Sequence, residues 1–313
     1  MAFVAVDIGA TNVRVASGNE KGLDKRITNR TDRENGPQGI SQQIVEMVNE
    51  LNLAEIEAIG VGTIGPVDIA TGRIVNTPNL PFKEIPVILP LSEVYQVPVR
   101  ILNDCAAAVL GERRFGAGIG LDNLVYVTFS TGLGGGAMVD GHLLIGKDGN
   151  AVEIGHLTID PDSPLKCGCG CAGHWEAYSS GSGIPNFVRQ DLVSSRSDSL
   201  ILELADYDRE SITAEILFEA AERGDAVALM LVRRLGEINA IGLADLINVF
   251  DPELVTIGGS IAINNSRMIL EPILENINKH TINRIPEIMI TPLGGEAVLY
   301  GALALALSLD TEY

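Results

Sequence analysis

An α/β fold built from two related halves is what this sequence predicts, and three observations predict it. Glycine is abundant, 34 of 313 residues and often in short clusters, while aromatics make up only 4%. That composition suits Val/Ile/Ala strands joined by glycine-rich turns better than a coiled coil or a disordered chain. At 46% hydrophobic the chain can bury a substantial core and fill two domains. One device also occurs twice: "VAVDIGATNVRVA", from Val4, and "VYVTFSTGLGGGAMV", from Val125, both read as strand, glycine turn, strand.

The elements follow in order. "FVAVDIG" (3–9) and "NVRVASG" (12–18) are β-rich runs that make a hairpin with an acidic residue and a glycine turn at its tip. Residues 37–52 carry Ile40, Ile44, Met47, Val48 and Leu51 at helical spacing behind a proline, which predicts a helix. "IEAIGVG" (56–62) and "VPVRILND" (97–104) are further strands. The Pro-rich stretch between them, "NTPNLPFKEIPVILP", reads as an irregular connection. "CAAAVLGERRFG" is a helix closed by glycine.

After residue 116 the pattern restarts with "NLVYVTFSTGLGGGAMVDG" (123–141). A cysteine-bearing segment spans 150–183. Residues 211–250 predict two helices, the second long, with a break near Gly224. "ELVTIGGSI" (253–261) is a strand running into a glycine turn, and the chain closes with a strand and an apolar helix from 286 onward. No solenoid-length repeat is present.

Charge narrows the function. With 22 Lys+Arg against 41 Asp+Glu the formal net charge is -19. A surface this acidic repels phosphate backbones and argues against nucleic-acid binding as the main role. It leaves small ligands whose phosphates are held locally. The N-terminus lacks the charged start and long apolar run of a signal peptide, and no run of 18 apolar residues predicts a membrane span. The expected compartment is the cytoplasm, with no membrane partner.

A reducing cytosol disfavours disulfides for "KCGCGCAGHWE" (166–176), as does an odd number of thiols at every second position. Zinc is the leading reading, and His156, eleven residues before Cys167, joins the cysteines as a ligand. Cys105 stands apart and reads as a small buried residue.

The glycine turns read as phosphate sites, because glycine lets converging backbone N–H groups approach an anion closely. The first is Gly9, Ala10, Thr11 and Asn12, with Asp7 suited to orienting a metal-bound water. The second includes Thr131, Gly132 and Gly134. The third, Gly258 and Gly259, stands between a strand and a helix, where a remaining phosphate or a ribose would fit. An ordinary tight hairpin is the competing reading of either of the first two alone. There is no G-x-x-x-x-G-K-[ST] and no opening G-x-G-x-x-G, so neither a P-loop nor a dinucleotide-binding fold is indicated.

Three such turns, with "LND" at 102–104, match the actin-like ATPase and sugar-kinase (ribonuclease H-like) fold, in which two duplicated domains surround a cleft. The chain resembles the ROK family of sugar kinases. "VDIGATN", "GTIGPVD", "TPNLPF", "NDCAAAVLGE", "STGLGGG", "EIGH" and "CGCGCAGHWEAYSSG" stand in the family's order across most of the chain. The resemblance implies an ATP-dependent kinase acting on the 6-hydroxyl of a hexose, most often glucose, with Mg²⁺ bridging the phosphates, Asp7 holding its water shell, and a structural Zn²⁺. It implies domains of 1–115 with 297–313 and of 116–296, and a homo-oligomer, dimer or tetramer.

By the same resemblance Asp104 is the general base. A carboxylate at a strand end can both take the hydroxyl's proton and aim its oxygen. Its competing role is the N-cap of the helix that follows. The implied sugar ligands are Gly65, Asn79, Asn103, Asp104, Glu153, His156 and Glu176; carboxylates and amides can pair with adjacent sugar hydroxyls.

The zinc loop departs from the family's C-x-C-G-x-x-G-C-x-E. His174 stands where the last cysteine belongs, and Cys171 is extra. The expected metal set is His156, Cys167, Cys169 and His174, with Cys171 as the alternative fourth ligand. Related readings are kinases for N-acetylmannosamine, N-acetylglucosamine, fructose or mannose, with ATP or polyphosphate as donor. A sugar-responsive repressor is disfavoured by the acidity and by a chain that starts at the first phosphate strand. An actin-like structural ATPase is disfavoured by the sugar and zinc signatures.

Overall fold

Strand β1 (Ala2–Ile8) buries Val4, Val6 and Ile8 on one face and Ala5 on the other. Burial on both faces fits a strand with a parallel neighbour in a covered sheet. The computed structural model describes residues 2–194 and 199–308. β1 pairs antiparallel with β2 (Asn12–Asn19), and β2 with β3 (Gly22–Arg30). After helix α1 (Gly39–Glu50), β4 (Ile56–Thr63) lies parallel to β1. A small meander follows: β5 (Val67–Asp68), β6 (Arg73–Val75) and β7 (Glu84–Pro86). Helix α2 (Ile88–Tyr95) leads to β8 (Val99–Asn103), which completes the order β3-β2-β1-β4-β8, and to helix α3 (Asp104–Phe115).

The second half begins with β9 (Leu124–Phe129), β10 (Leu133–Val139) and β11 (His142–Leu143). Helices α4 (Glu176–Ser179), α5 (Gly183–Ser194), α6 (Leu200–Leu204), α7 (Ala214–Glu222) and α8 (Ala226–Phe250) come next. Strand β12 (Leu254–Gly258), helices α9 (Ser260–Asn264) and α10 (Ser266–Asn276), strand β13 (Glu287–Ile290) and helix α11 (Ala297–Leu307) end the described chain. The second sheet has the order β11-β10-β9-β12-β13, which repeats the pattern of the first. The duplication read from the glycine hairpins is therefore a duplication of whole sheets.

Two compact units are formed, 1–126 with 136–152 and 291–313, and 127–135 with 153–290. In the first, Val4, Val6 and Ile8 pack with Ile40, Ile44 and Met47 of α1 and Leu91 of α2. Each such fully buried side chain contributes about 1.5–3 kcal/mol. On the opposite face Ala5 and Ala16 pack against Leu299, Ala302 and Leu303 of α11. In the second unit α8 packs against α7 and α10. It is set off from α7 by Gly224, at φ +83°, and by Asp225, whose side chain caps it by accepting from the Ala228 N–H at 2.8 Å. Among the described residues no helix is long and apolar enough to cross a membrane.

The connection expected to be irregular at 76–90 contains β7 and the start of α2. Its prolines do not prevent this. Pro90 falls in the first turn of α2, where a missing N–H breaks no intrahelical bond, and Ile85 and Leu91 bury completely. Strand β3 was not foreseen, because "GLDKRITNR" is largely exposed and carries almost no apolar alternation. It forms because β2 offers it an edge.

Candidate active site and metal centre

Asp7 and Arg14 face each other across the β1–β2 hairpin. Arg14 Nε donates to Asp7 Oδ2 at 2.7 Å, Nη2 donates to the same oxygen, and Nη1 donates to the Gly295 carbonyl. Burial pushes the Asp7 carboxyl up, and the Arg14 charge and its hydrogen bond only partly oppose this. At the tip, the Gly9 N–H donates to the Asn12 carbonyl at 2.9 Å. Thr31 holds the turn from outside: its hydroxyl donates to Gly9 O at 2.7 Å and its N–H to Thr11 O at 3.0 Å. Thr11 and Asn12 remain exposed and Ala10 half-buried. Thr31 was not legible as a site residue, since nothing in its spacing ties it to residues twenty positions away.

At the β8–α3 junction the cap is Asn103. Its Oδ1 accepts from the Cys105 N–H at 2.9 Å. Asp104 is the first helical residue, and its Oδ1 accepts from the same N–H at 2.8 Å. The N-cap role weighed for Asp104 thus belongs to its neighbour. Gly65 lies beside this junction, for a Cβ on it would stand 3.0 Å from Asn103 Nδ2. Asn150, which sequence reasoning missed, fixes the loop after Gly65. Its Oδ1 accepts from Val67 N–H at 2.8 Å and its Nδ2 donates to Val67 O at 2.8 Å. Asn79 occupies a separate exposed loop, whose carbonyl accepts from Arg33 Nη2 at 2.6 Å.

In the second unit the donor atoms of His156, Cys167, Cys169 and His174 all lie within 4.8 Å of one another. Cys167 Sγ is 3.7 Å from His156 Nδ1 and 3.3 Å from His174 Nδ1, and Cys169 Sγ is 3.4 Å from His174 Nδ1. A tetrahedral zinc with Zn–S ~2.3 Å and Zn–N ~2.0 Å sets donors about 3.3–3.8 Å apart, so these separations fit. The two sulfurs, at 2.9 Å, would part by roughly 1 Å around such an ion. Two thiols and two imidazoles are the donor chemistry zinc takes. Burial raises the Cys167 thiol to about 11 and Cys169 adds to this, so loading the site would release its proton. Cys171 is exposed and outside the group, its carbonyl accepting from the Cys167 N–H at 3.1 Å across the tight turn.

Two residues after His174, Glu176 opens α4. Its Oε2 accepts from the Leu133 N–H at 3.2 Å, and a Cβ on Gly132 would lie 3.0 Å from that oxygen. Glu153 keeps access to solvent, yet the surrounding protein raises its carboxyl; the His156 charge opposes that shift and Glu176 adds to it. The 3-10 turn Ile154–His156 comes this close because residue 155 is glycine: a Cβ there would sit 2.1 Å from Leu133 O. Glu153, His156 and Glu176 are therefore one electrostatic group.

The second glycine turn is Ser130–Gly132, where the Ser130 N–H donates to Gly132 O at 3.0 Å. Gly134 stands inside β10. The turn is braced by residues the sequence reading did not single out. Gly181 N–H donates to Ser130 O at 2.7 Å, and Ser182 Oγ donates to Thr131 O at 3.3 Å. In the third turn Gly258 ends β12 and Gly259 leads into α9.

Comparison with known proteins adds three findings. A family model described as "ROK family" matches residues 3–308. A glucokinase of Pyrobaculum calidifontis is 36% identical over 97% of this chain and 94% of its own length, and a glucokinase of Thermotoga maritima is 34% identical over 97% and 96%. Among solved structures, a ROK family glucokinase from Streptomyces griseus in complex with glucose and AMPPNP superposes with a TM-score of 0.81. It is 32% identical and covers 98% of this chain and 99% of that one.

Proposed function

The chain belongs to the ROK family, and we propose that it is an ATP-dependent hexose kinase that phosphorylates the 6-hydroxyl of glucose. Its full-length similarity to glucokinases supports the reaction class. The observation that carries the site is the run His174–Trp175–Glu176. It joins a four-donor metal cluster to a carboxylate resting on the N–H of Leu133 in the second glycine hairpin.

Asp104 accepts the proton of the 6-hydroxyl while that oxygen bonds to the γ-phosphorus. The bond from the γ-phosphorus to the bridging oxygen breaks, and ADP leaves with its electron pair. Asn103 keeps Asp104 at the head of α3, and Asn150 holds the Gly65 loop beside it. Gly65, Asn79, Asn103, Glu153, His156 and Glu176 take the sugar's hydroxyls, each as donor or acceptor according to its type. The turns at Gly9–Asn12, Thr131–Gly132 and Gly258–Gly259 take the nucleotide, with Gly134 supporting the second from its strand.

Bound zinc would supply a rigid structural node, held by His156, Cys167, Cys169 and His174. Mg²⁺ would supply charge neutralisation on the phosphates. Asp7, held in place by Arg14, would help to keep the ion's water shell. Four free thiols suit a reducing cytoplasm, and a dimer or tetramer is part of the proposal. Coupled ADP release across glucose, fructose, mannose and the N-acetylhexosamines tests it, with polyphosphate as the rival donor. Glucose should give the highest kcat/KM with ATP; a preference for an N-acetylhexosamine would reassign the substrate.

A further inference from the structure

The chain has one tryptophan, Trp175, and it is fully buried between the metal-cluster residue His174 and Glu176. Its indole N–H donates to Asn239 Oδ1 at 2.8 Å, and Ser179 Oγ donates to the same oxygen at 2.5 Å. Asn239 lies in α8 and is itself 1% exposed. An indole N–H can only donate, so the Asn239 oxygen, not its nitrogen, must face Trp175. Among the described residues Asn239 Nδ2 has no hydrogen-bond partner. The carbonyl, with its two donors, is the part of this amide that the surrounding fold engages.

That carbonyl grips both ends of α4. Trp175 and Ser179 are four apart and lie on one face of the turn, while Glu176, one residue on from Trp175, points elsewhere. A four-residue helix has no stability of its own, so its rotation is set by what holds it. Asn239 holds it from one side, and α8 is shaped for the purpose. Gly242, one turn on, leaves the notch the indole fills, since a Cβ there would lie 2.4 Å from the ring. Phe129 closes the other side edge-on, with centroids 5.9 Å apart. About 100° around α4 from Trp175, Glu176 accepts from the Leu133 N–H.

We propose that Asn239 is a positioning residue for sugar binding: by accepting from Trp175 and Ser179 it fixes the rotation of α4 and thereby aims the Glu176 carboxylate. The proposal rests on Glu176 being a sugar ligand. Asn239→Leu keeps the side chain's bulk but leaves two buried donors unpaired. It should raise the glucose KM, and the calorimetric Kd for glucose, by about tenfold. The ATP KM should change far less, and metal content not at all. Asn239→Asp keeps an acceptor oxygen for both donors but puts a titratable carboxyl in place of the unpartnered N–H₂ at a site 1% exposed. It should therefore restore glucose affinity to within about threefold of wild type at pH values where that buried carboxyl is protonated. A lower Tm with unchanged glucose KM in Asn239→Leu would overturn the proposal, and so would an Asp variant as weak as the Leu variant at every pH the fold tolerates. Should Asn239→Leu fail to fold, Ser179→Ala removes one donor alone; it should still raise the glucose KM, and an unchanged value counts against the proposal. Glu176→Gln separates the two levels. If that variant binds glucose normally, the ligand reading and this inference fall together. If it binds weakly while Asn239→Leu binds normally, only the inference falls.

Discussion

Leu133 donates its backbone N–H to Glu176 Oε2 at 3.2 Å, which ties the proposed sugar carboxylate to the strand leaving the second glycine turn. Glu176→Gln keeps an oxygen for that N–H and loses the charge. It should raise the glucose KM about 10- to 100-fold, the range of a charged hydrogen bond, while the ATP KM stays within a few-fold. Glu176→Ala removes the acceptor as well, loosening the turn, and should raise both constants. Steady-state kinetics with each substrate varied in turn distinguishes these outcomes.

Asp104→Asn should lower kcat by about 10² to 10⁴, the usual worth of a general base. Because Asn103 is the cap, stability should fall by no more than ~0.3–1 kcal/mol, the value of a charge in the first helical turn. Asn103→Ala should show the larger stability loss, about 1 kcal/mol. Paired kinetics and thermal unfolding check this, and a kcat loss under tenfold removes Asp104 from the chemistry.

Metal content separates the two candidate fourth ligands. His174 is in the donor group and Cys171 is outside it, so Cys171→Ser should keep one zinc per chain. His174→Ala should lose the metal and bind glucose poorly, since Glu176 is two residues away. Elemental analysis of the purified variants decides it, and zinc lost from the serine variant instead would make Cys171 the ligand.

Val152, directly before Glu153, has φ +65°. A β-branched residue in that left-handed region costs on the order of 1–3 kcal/mol. Val152→Gly removes this and returns about 0.5–1 kcal/mol as backbone entropy. A net gain of about 1 kcal/mol, read as a higher Tm, is expected.

Glu112 is 1% exposed and accepts from Thr291 Oγ1 and, at 3.0 Å, from the Ala117 N–H. Burial still holds its carboxyl above the ordinary value. The folded state therefore binds the proton more tightly than the unfolded chain. The associated stability is fully present below the unfolded pKa and is lost as pH rises through the folded one. Glu112→Gln cannot titrate, so wild-type stability should fall relative to this variant across that rise. Denaturant unfolding of both proteins from pH 4 upward measures the difference; a difference that grows with falling pH would reverse the sign.

What the sequence by itself determined is the periodic and the local. The apolar runs of β1, β4, β9 and β12 and the long α8 are legible because strand and helix burial impose fixed spacings. The two glycine hairpins revealed the duplication, and the clustered cysteines with His156 pointed to a metal loop, while the choice of His174 over Cys171 came from the family resemblance and the grouping in the structure. The exposed strand β3 and the Pro-bearing start of α2 carry no such period and needed a neighbouring edge or a buried face to exist. Only the tertiary structure decided which side chains hold the site. Thr31 braces the first turn, Asn150 pins the Gly65 loop, and Asn239 grips Trp175 and Ser179. Each is a polar residue acting across 22 to 83 positions. A hydrogen bond between distant segments leaves no period in the chain, because its partner is chosen by packing rather than by sequence neighbours.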